Sequence, residues 1–199
     1  MNYLAHIFLS GNDCRLQIGN FIGDFVKGSK HAHYPPEIQD GIKLHRLIDE
    51  FTDSHPVVRE TVKMLKPTFG RYSGIMADMY FDYFLAIHFT KYHKKSLRNF
   101  ACKFYFHLLL NYKHLPVKVK GFVFHFVTTN RLTKYSHLEG LRQSLQIMEQ
   151  HKSKAIKPDL SISYLLQNQA ELELKFFSFM PDLIEFAEER RKEVKKNSA

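Results

Sequence analysis

The sequence predicts an all-α, single-domain helical bundle. Between turn marks the apolar residues recur at helical spacing far more often than in strict alternation. No Asn-Gly or Asp-Gly turn stands between alternating apolar runs, so a hairpin signal is lacking. The 199 residues suffice for one sizeable core, with no repeat, low-complexity tract or Gly/Ser linker to divide them. Apolar residues make up 44% and charged residues 25%, as in an ordinary globular domain, and 18 Phe and 10 Tyr without Trp predict an aromatic-rich core.

The elements follow in order. A helix is expected from about Arg15 to Val26, behind the turn "SGND" (10–13). Another opens at Pro35-Pro36, because proline suits the first helical turn. Further helices are expected over about 56–66, 73–92, 94–112, 117–129, 133–150 and 160–190, the prolines of "SHP", "LP" and "KP" marking several starts. The stretch "KVKGFVFHFV" (118–127) alternates, so a strand is the open alternative there. The last residues, "EERRKEVKKNSA", form a mixed-charge helix end expected to fray over 190–199.

A formal charge of +9, from 29 Lys+Arg against 20 Asp+Glu, makes an anionic partner plausible: nucleic acid, an acidic membrane surface or an acidic protein. The only cysteines, Cys14 and Cys102, form no CxxC pair and imply no disulfide framework, which fits a reducing cytoplasm. The start "MNYLAHIFLSGND" lacks a basic leader, and uncharged runs such as "FYFHLLLNY" (104–112) are too short to span a bilayer. A cytoplasmic protein without membrane segments is expected.

Chemistry enters at "GIMADMYFDYFLAIHF" (74–89). Asp78 and Asp82 lie about 40° apart on the helical wheel, among Ile75, Phe81, Leu85 and Phe89. Two buried carboxylates at this distance repel each other and need a cation, either a basic side chain or a metal ion. A salt bridge or an exposed helix end would equally account for them. In "GIKLHRLIDEFTD" (41–53), His45 and Asp49 are again one turn apart, beside the apolar arc of Leu44, Leu47, Ile48 and Phe51. Such a pair can grip one metal ion, or can be a surface ion pair. His6 in "NYLAHIF" and Asp24 in "GNFIGDFVKG" are lone polar residues in apolar settings; a satisfied core histidine and a turn aspartate are the alternative readings. A mixed His/Asp donor set suits a borderline-to-hard divalent ion such as manganese, iron or magnesium.

The motifs "MNYLAH", "IGNFIGDFVKG", "GIKLHRLIDEFTDSHPVVRE" and "DMYFDYFLAIHF", in that order, resemble the acyl carrier protein phosphodiesterase family. The late segment "KFFSFMPDL" (175–183) is similar to that family's aromatic-proline stretch, whereas residues 93–170 contribute little. The resemblance implies a divergent HD-type phosphohydrolase fold, although no adjacent His-Asp pair occurs here. It also implies hydrolysis of the phosphodiester joining 4′-phosphopantetheine to a serine of holo acyl carrier protein, with manganese preferred. On it, Asp24, His45, Asp49 and Asp82 are the expected metal ligands, with His6 and Asp78 as ligands or supports. His45, Asp49 and Arg46 are the expected catalytic residues, Arg46 reaching a phosphate oxygen unless it faces solvent. Tyr83 departs from a histidine expected in the family, and His88 lies about 120° round the helix from Asp82.

Acyl carrier proteins are typically strongly acidic, which gives the positive charge a target. Arg59, Lys63, Lys66 and Arg71 form one candidate docking cluster, and Lys91, Lys94, Lys95, Arg98 and Lys103 a second. Two rival readings remain: a phosphohydrolase of nucleotides or other small phosphodiesters, and a basic helical nucleic-acid-binding protein suggested by "KFYFHLLLNYKH" (103–114). The second has no recognised motif and no use for the Asp/His set, so nucleic acid is not the expected partner.

Overall fold

Proline and short polar side chains set where the helices begin. The Asp13 carboxylate accepts hydrogen bonds from the Arg15 and Leu16 amides at 3.1 Å and starts the helix Cys14–Ile22. Pro36, Pro56 and Pro158 occupy the first turns of three others. A computed structural model describes residues 2–151 and 153–196, and among the described residues there is no strand. The α-helices are α1 (Tyr3–Leu9), α2 (Cys14–Ile22), α3 (Pro36–Ser54), α4 (Pro56–Phe69), α5 (Ser73–Ile87), α6 (Phe89–Tyr92) and α7 (Leu97–Leu110). They continue as α8 (Val117–Lys120), α9 (Val123–Thr128), α10 (Arg131–Lys134), α11 (Leu138–His151), α12 (Pro158–Gln167) and α13 (Gln169–Lys196). No helix of the described residues is long and apolar enough to cross a membrane.

The all-α expectation holds, helix rather than strand over 118–127 included, and the differences are local. The alternating stretch 118–127 is helical: Val119, Val123 and Phe126 are buried at helical spacing, and the apparent alternation comes from Phe122 and Phe124 lying partly or largely outside. Four expected long helices break, at His88, at Gly121-Phe122, at 135–137 and at Asn168. α1 was not expected, because its seven residues hold too few turns for a periodic signal. The C-terminal helix continues to Lys196 with Val194 buried, and residues 197–199 of the expected frayed tail lie outside the described part.

Two packing features position the site. α2 and α3 touch backbone to backbone: a Cβ on Gly19 would lie 2.1 Å from the Ile38 carbonyl oxygen, and one on Gly41 2.4 Å from the Leu16 carbonyl oxygen. α5 runs through the core, where Phe81 and Phe84 meet Phe176 and Phe179 of α13 at ring-centroid distances between 5.7 and 6.0 Å. α1 packs against both α2 and α5. The core is as aromatic as the composition predicts.

Candidate metal centre

α1 owes its placement to a carboxylate. Asp82 is fully buried on α5 and accepts hydrogen bonds from the main-chain amides of Leu4 at 2.9 Å and of Asn2 and Ala5 at 3.3 Å. A negative group at a helix N-terminus satisfies orphan N–H donors and meets the positive end of the helix dipole. Burial nevertheless dominates its titration, and its pKa is pushed up to about 7. Asp82 is therefore spent on holding α1 and does not reach the cluster described next. Asp78 is half-buried and also stays outside that cluster; its charge adds to partial burial in raising Asp53. The expected ligand roles of Asp82 and Asp78 do not match where the fold puts them.

What α1 carries is His6. Its Nε2 lies 3.1 Å from Asp49 Oδ1, and the other Asp49 oxygen lies 3.1 Å from His45 Nε2. One ligand atom from each of His6, His45 and Asp49 falls within 4.8 Å of the others. The two imidazoles face each other with centroids 4.1 Å apart and planes 26° apart. Asp24, exposed at the mouth, places Oδ1 3.4 Å from His45 Nε2. Four of the six expected ligands thus converge from α1, the segment after α2, and α3.

The surroundings fix both rings. His6 Nδ1 is 2.8 Å from Asn20 Oδ1, Asn20 Nδ2 donates to Ser10 Oγ at 2.9 Å, and Ser10 Oγ donates to the His6 carbonyl at 2.8 Å. Asn20 holds Nδ1, so Nε2 is the His6 nitrogen that faces the cluster and the one that would bind a metal. His45 is held by contact: a Cβ on Gly23 would lie 2.3 Å from its Cγ, so only glycine fits there. The Nδ1 of His45 is buried without a partner. Asn20, Ser10 and Gly23 were not singled out by the sequence, although Asn20 is a lone amide in "IGNFIGD".

The electrostatics are those of a site short of positive charge. Burial alone would lower His45, but the Asp24 and Asp49 carboxylates outweigh it and raise the pKa to about 9. Burial, and then the His45 charge, lower His6. Burial would raise Asp49, yet hydrogen bonds from both imidazoles keep it well below the usual carboxylate range. The His45 hydrogen bond likewise depresses Asp24. Two imidazole nitrogens and a carboxylate oxygen within 4.8 Å of one another are a donor set that suits a borderline-to-hard divalent cation.

The remaining candidates lie elsewhere. Arg46 donates to the carbonyls of Val26 at 3.0 Å and Gly28 at 2.8 Å, pinning the segment after Asp24 to α3. That use explains its presence without a phosphate. His88 pairs with Glu173 and stacks near Phe177, on the α13 side of α5. Tyr83 is buried. Arg59 donates to the Asp53 carbonyl, and Arg71 lies against Tyr72, while Lys63, Lys66, Lys94, Lys95 and Arg98 are exposed.

Residues 1–183 match the family profile described as acyl carrier protein phosphodiesterase. The chain is 29% identical over 192 residues to the acyl carrier protein phosphodiesterase of Yersinia pestis, covering 96% of this chain and all of that one. It is 28% identical over 188 residues to the protein of the same name from Pectobacterium atrosepticum, with 94% and 97% covered. The counterpart in Salmonella agona is 40% identical over 91 residues, 46% of this chain and 47% of that one. No solved structure matches. The chain belongs to the acyl carrier protein phosphodiesterase family.

Proposed function

We propose that this protein is a metal-dependent phosphodiesterase that removes 4′-phosphopantetheine from holo acyl carrier protein, with manganese as the working ion. One observation carries the reading beyond family membership: donor atoms of His6, His45 and Asp49, from two helices, lie within 4.8 Å of one another. A divalent cation held there supplies Lewis acidity and makes water a stronger acid. His6, His45 and Asp49 hold it, and the Asn20–Ser10 relay keeps the His6 ring turned toward it. Asp24, the exposed carboxylate at the mouth, is placed to complete the ligand set or to orient the attacking water. In the net reaction, water oxygen joins phosphorus, the bond from phosphorus to the seryl oxygen breaks, and one water proton ends on the serine hydroxyl.

The test is mass spectrometry of holo acyl carrier protein incubated with this protein and manganese. Loss of the prosthetic group as an intact phosphopantetheine unit is expected, and His45→Ala should reduce the rate at least 100-fold while keeping the helical circular dichroism. Faster turnover of nucleotides than of the carrier would move the reading to a small-molecule phosphohydrolase. Full activity in His45→Ala would remove the cluster from the chemistry.

A further inference from the structure

From Tyr83 to Leu138 the chain carries ten Lys and Arg and no Asp or Glu, so all 20 carboxylates lie outside this stretch. The positive charge of the molecule is concentrated here, where it exceeds the +9 of the whole chain. Six of the ten large apolar residues exposed among the described residues lie in the same stretch. Phe106 is 61% exposed, Leu110 64%, Val117 85% and Phe124 58%. They are linked, since Phe106 and Leu110 share a face of α7, and Tyr112 just beyond it packs on Phe124 at 5.6 Å. Lysines stand among them: Lys120 sits over the Tyr112 ring at 5.2 Å, and Lys113 and Lys118 are exposed. Large apolar residues rimmed by one sign of charge mark an interaction surface.

This surface adjoins a cleft of about 590 Å³. One wall is Phe25, Lys30, His33 and Tyr34; the other includes Lys113 and His114 of the apolar surface. Phe25 and Val26 of the lining directly follow Asp24, so one short segment joins the cleft to the histidine–aspartate cluster. Phe25 also packs on Phe122 at 5.8 Å, and Arg46 ties the Val26 and Gly28 carbonyls to α3 beside His45. Both walls carry basic side chains, with Phe25 and Tyr34 on one and Leu115 and Pro116 on the other, which suits an anionic, partly apolar, extended ligand.

We propose that the apolar, lysine-rimmed surface over residues 106–124 docks the acidic carrier protein, and that the cleft between residues 25–34 and 113–116 receives its prosthetic arm. The inference rests on the phosphodiesterase reading for the identity of the arm. Charge complementarity and continuity with the cluster choose this partner: a membrane surface would use the patch but not the cleft that leads away from it. The expected docking residues on α4, Lys63 and Lys66, lie outside the acid-free stretch.

The test measures binding rather than turnover. Fluorescence anisotropy of labelled apo and holo acyl carrier protein is recorded against the full-length protein, with Val117→Asp/Lys118→Glu, Lys30→Glu and Lys63→Glu/Lys66→Glu variants. Val117 and Lys118 are exposed, so the fold should survive their change. Apo-carrier binding should weaken at least tenfold in Val117→Asp/Lys118→Glu. Lys30→Glu should spare the apo form and cancel the extra affinity of the holo form. Unchanged binding in the first variant, loss in the α4 variant instead, or binding to phosphatidylglycerol vesicles without carrier binding would each overturn the proposal. Because apo carrier has no bond to cleave, a protein that binds it but fails to hydrolyse the holo form refutes the phosphodiesterase reading and leaves the docking surface standing.

Discussion

At the scale of single residues, the cluster depends on a missing methyl group. Gly23 has ordinary helical dihedrals, φ −51° and ψ −44°, so alanine would cost the backbone nothing there. Its Cβ, however, would sit 2.3 Å from His45 Cγ and push the imidazole out of line with Asp49. Gly23→Ala should weaken manganese affinity by roughly 10- to 100-fold, the usual cost of disturbing a ligand's support, with circular dichroism unchanged. Calorimetric titration checks this, and equal affinity in the two proteins would show that His45 is not a ligand. The sequence exposed the members of the cluster more clearly than the residues that support them. His45 and Asp49 are legible because i, i+4 spacing puts both on one stripe of α3, and that local geometry survives folding. Asp82 misled for a physical reason: a carboxylate in an apolar helix needs compensation, and sequence alone cannot distinguish a metal ion from the amides of a distant helix end. Asn20 and Gly23 act only through a ring brought in from another helix, so no local pattern announces them.

At the scale of elements, α1 is a seven-residue helix held in place by a carboxylate of α5, and His6 comes with it. An isolated helix of this length is unstable, so the Asp82 hydrogen bonds and the packing on α2 and α5 supply its order. The raised pKa of Asp82 gives this anchor a pH signature. Folded, the carboxyl keeps its proton up to about pH 7, while in the unfolded chain it ionises near 3.8. Between those values the native state binds the extra proton, so this group's contribution is fully present below about pH 4 and is lost as pH rises through 7. The change amounts to about 4 kcal/mol at most over the window. Asp82→Asn abolishes it, so the Tm difference between wild type and Asp82→Asn should shrink steadily from pH 5 to pH 8. A difference that stays constant would mean the carboxylate is ionised throughout, with the three amides outweighing burial. Element boundaries were the least legible part of the sequence. His88 and Asn168 interrupt helices without Gly or Pro to mark the break.

At the scale of the whole molecule, charge is divided between two regions: an acid-free stretch over 83–138, and the remainder, which holds every carboxylate, including those of the cluster. Net charge alone suggested an anionic partner; the surface to which it belongs became visible only when the fold set Phe106, Leu110, Tyr112 and Phe124 outside and the cleft beside them. Of three consecutive aromatics on α7, Phe104 and Tyr105 are buried and Phe106 is 61% exposed, a difference that composition does not reveal. A one-sided field of this kind raises the encounter rate with an acidic protein and is screened over about 8–10 Å at physiological salt. The cluster itself is small, with two of its side chains buried, and screening there is weak. For the acidic carrier, kcat/KM should therefore fall on the order of tenfold between about 50 mM and about 300 mM salt, the loss lying in association. For a small diester such as bis(p-nitrophenyl) phosphate the profile should be nearly flat, because the diester needs the cluster and not the docking field. A parallel fall for both substrates would locate the salt effect in metal retention at His6, His45 and Asp49. A flat profile for both would mean that the acid-free surface takes no part in capturing the carrier, and that its exposed aromatics serve some other contact.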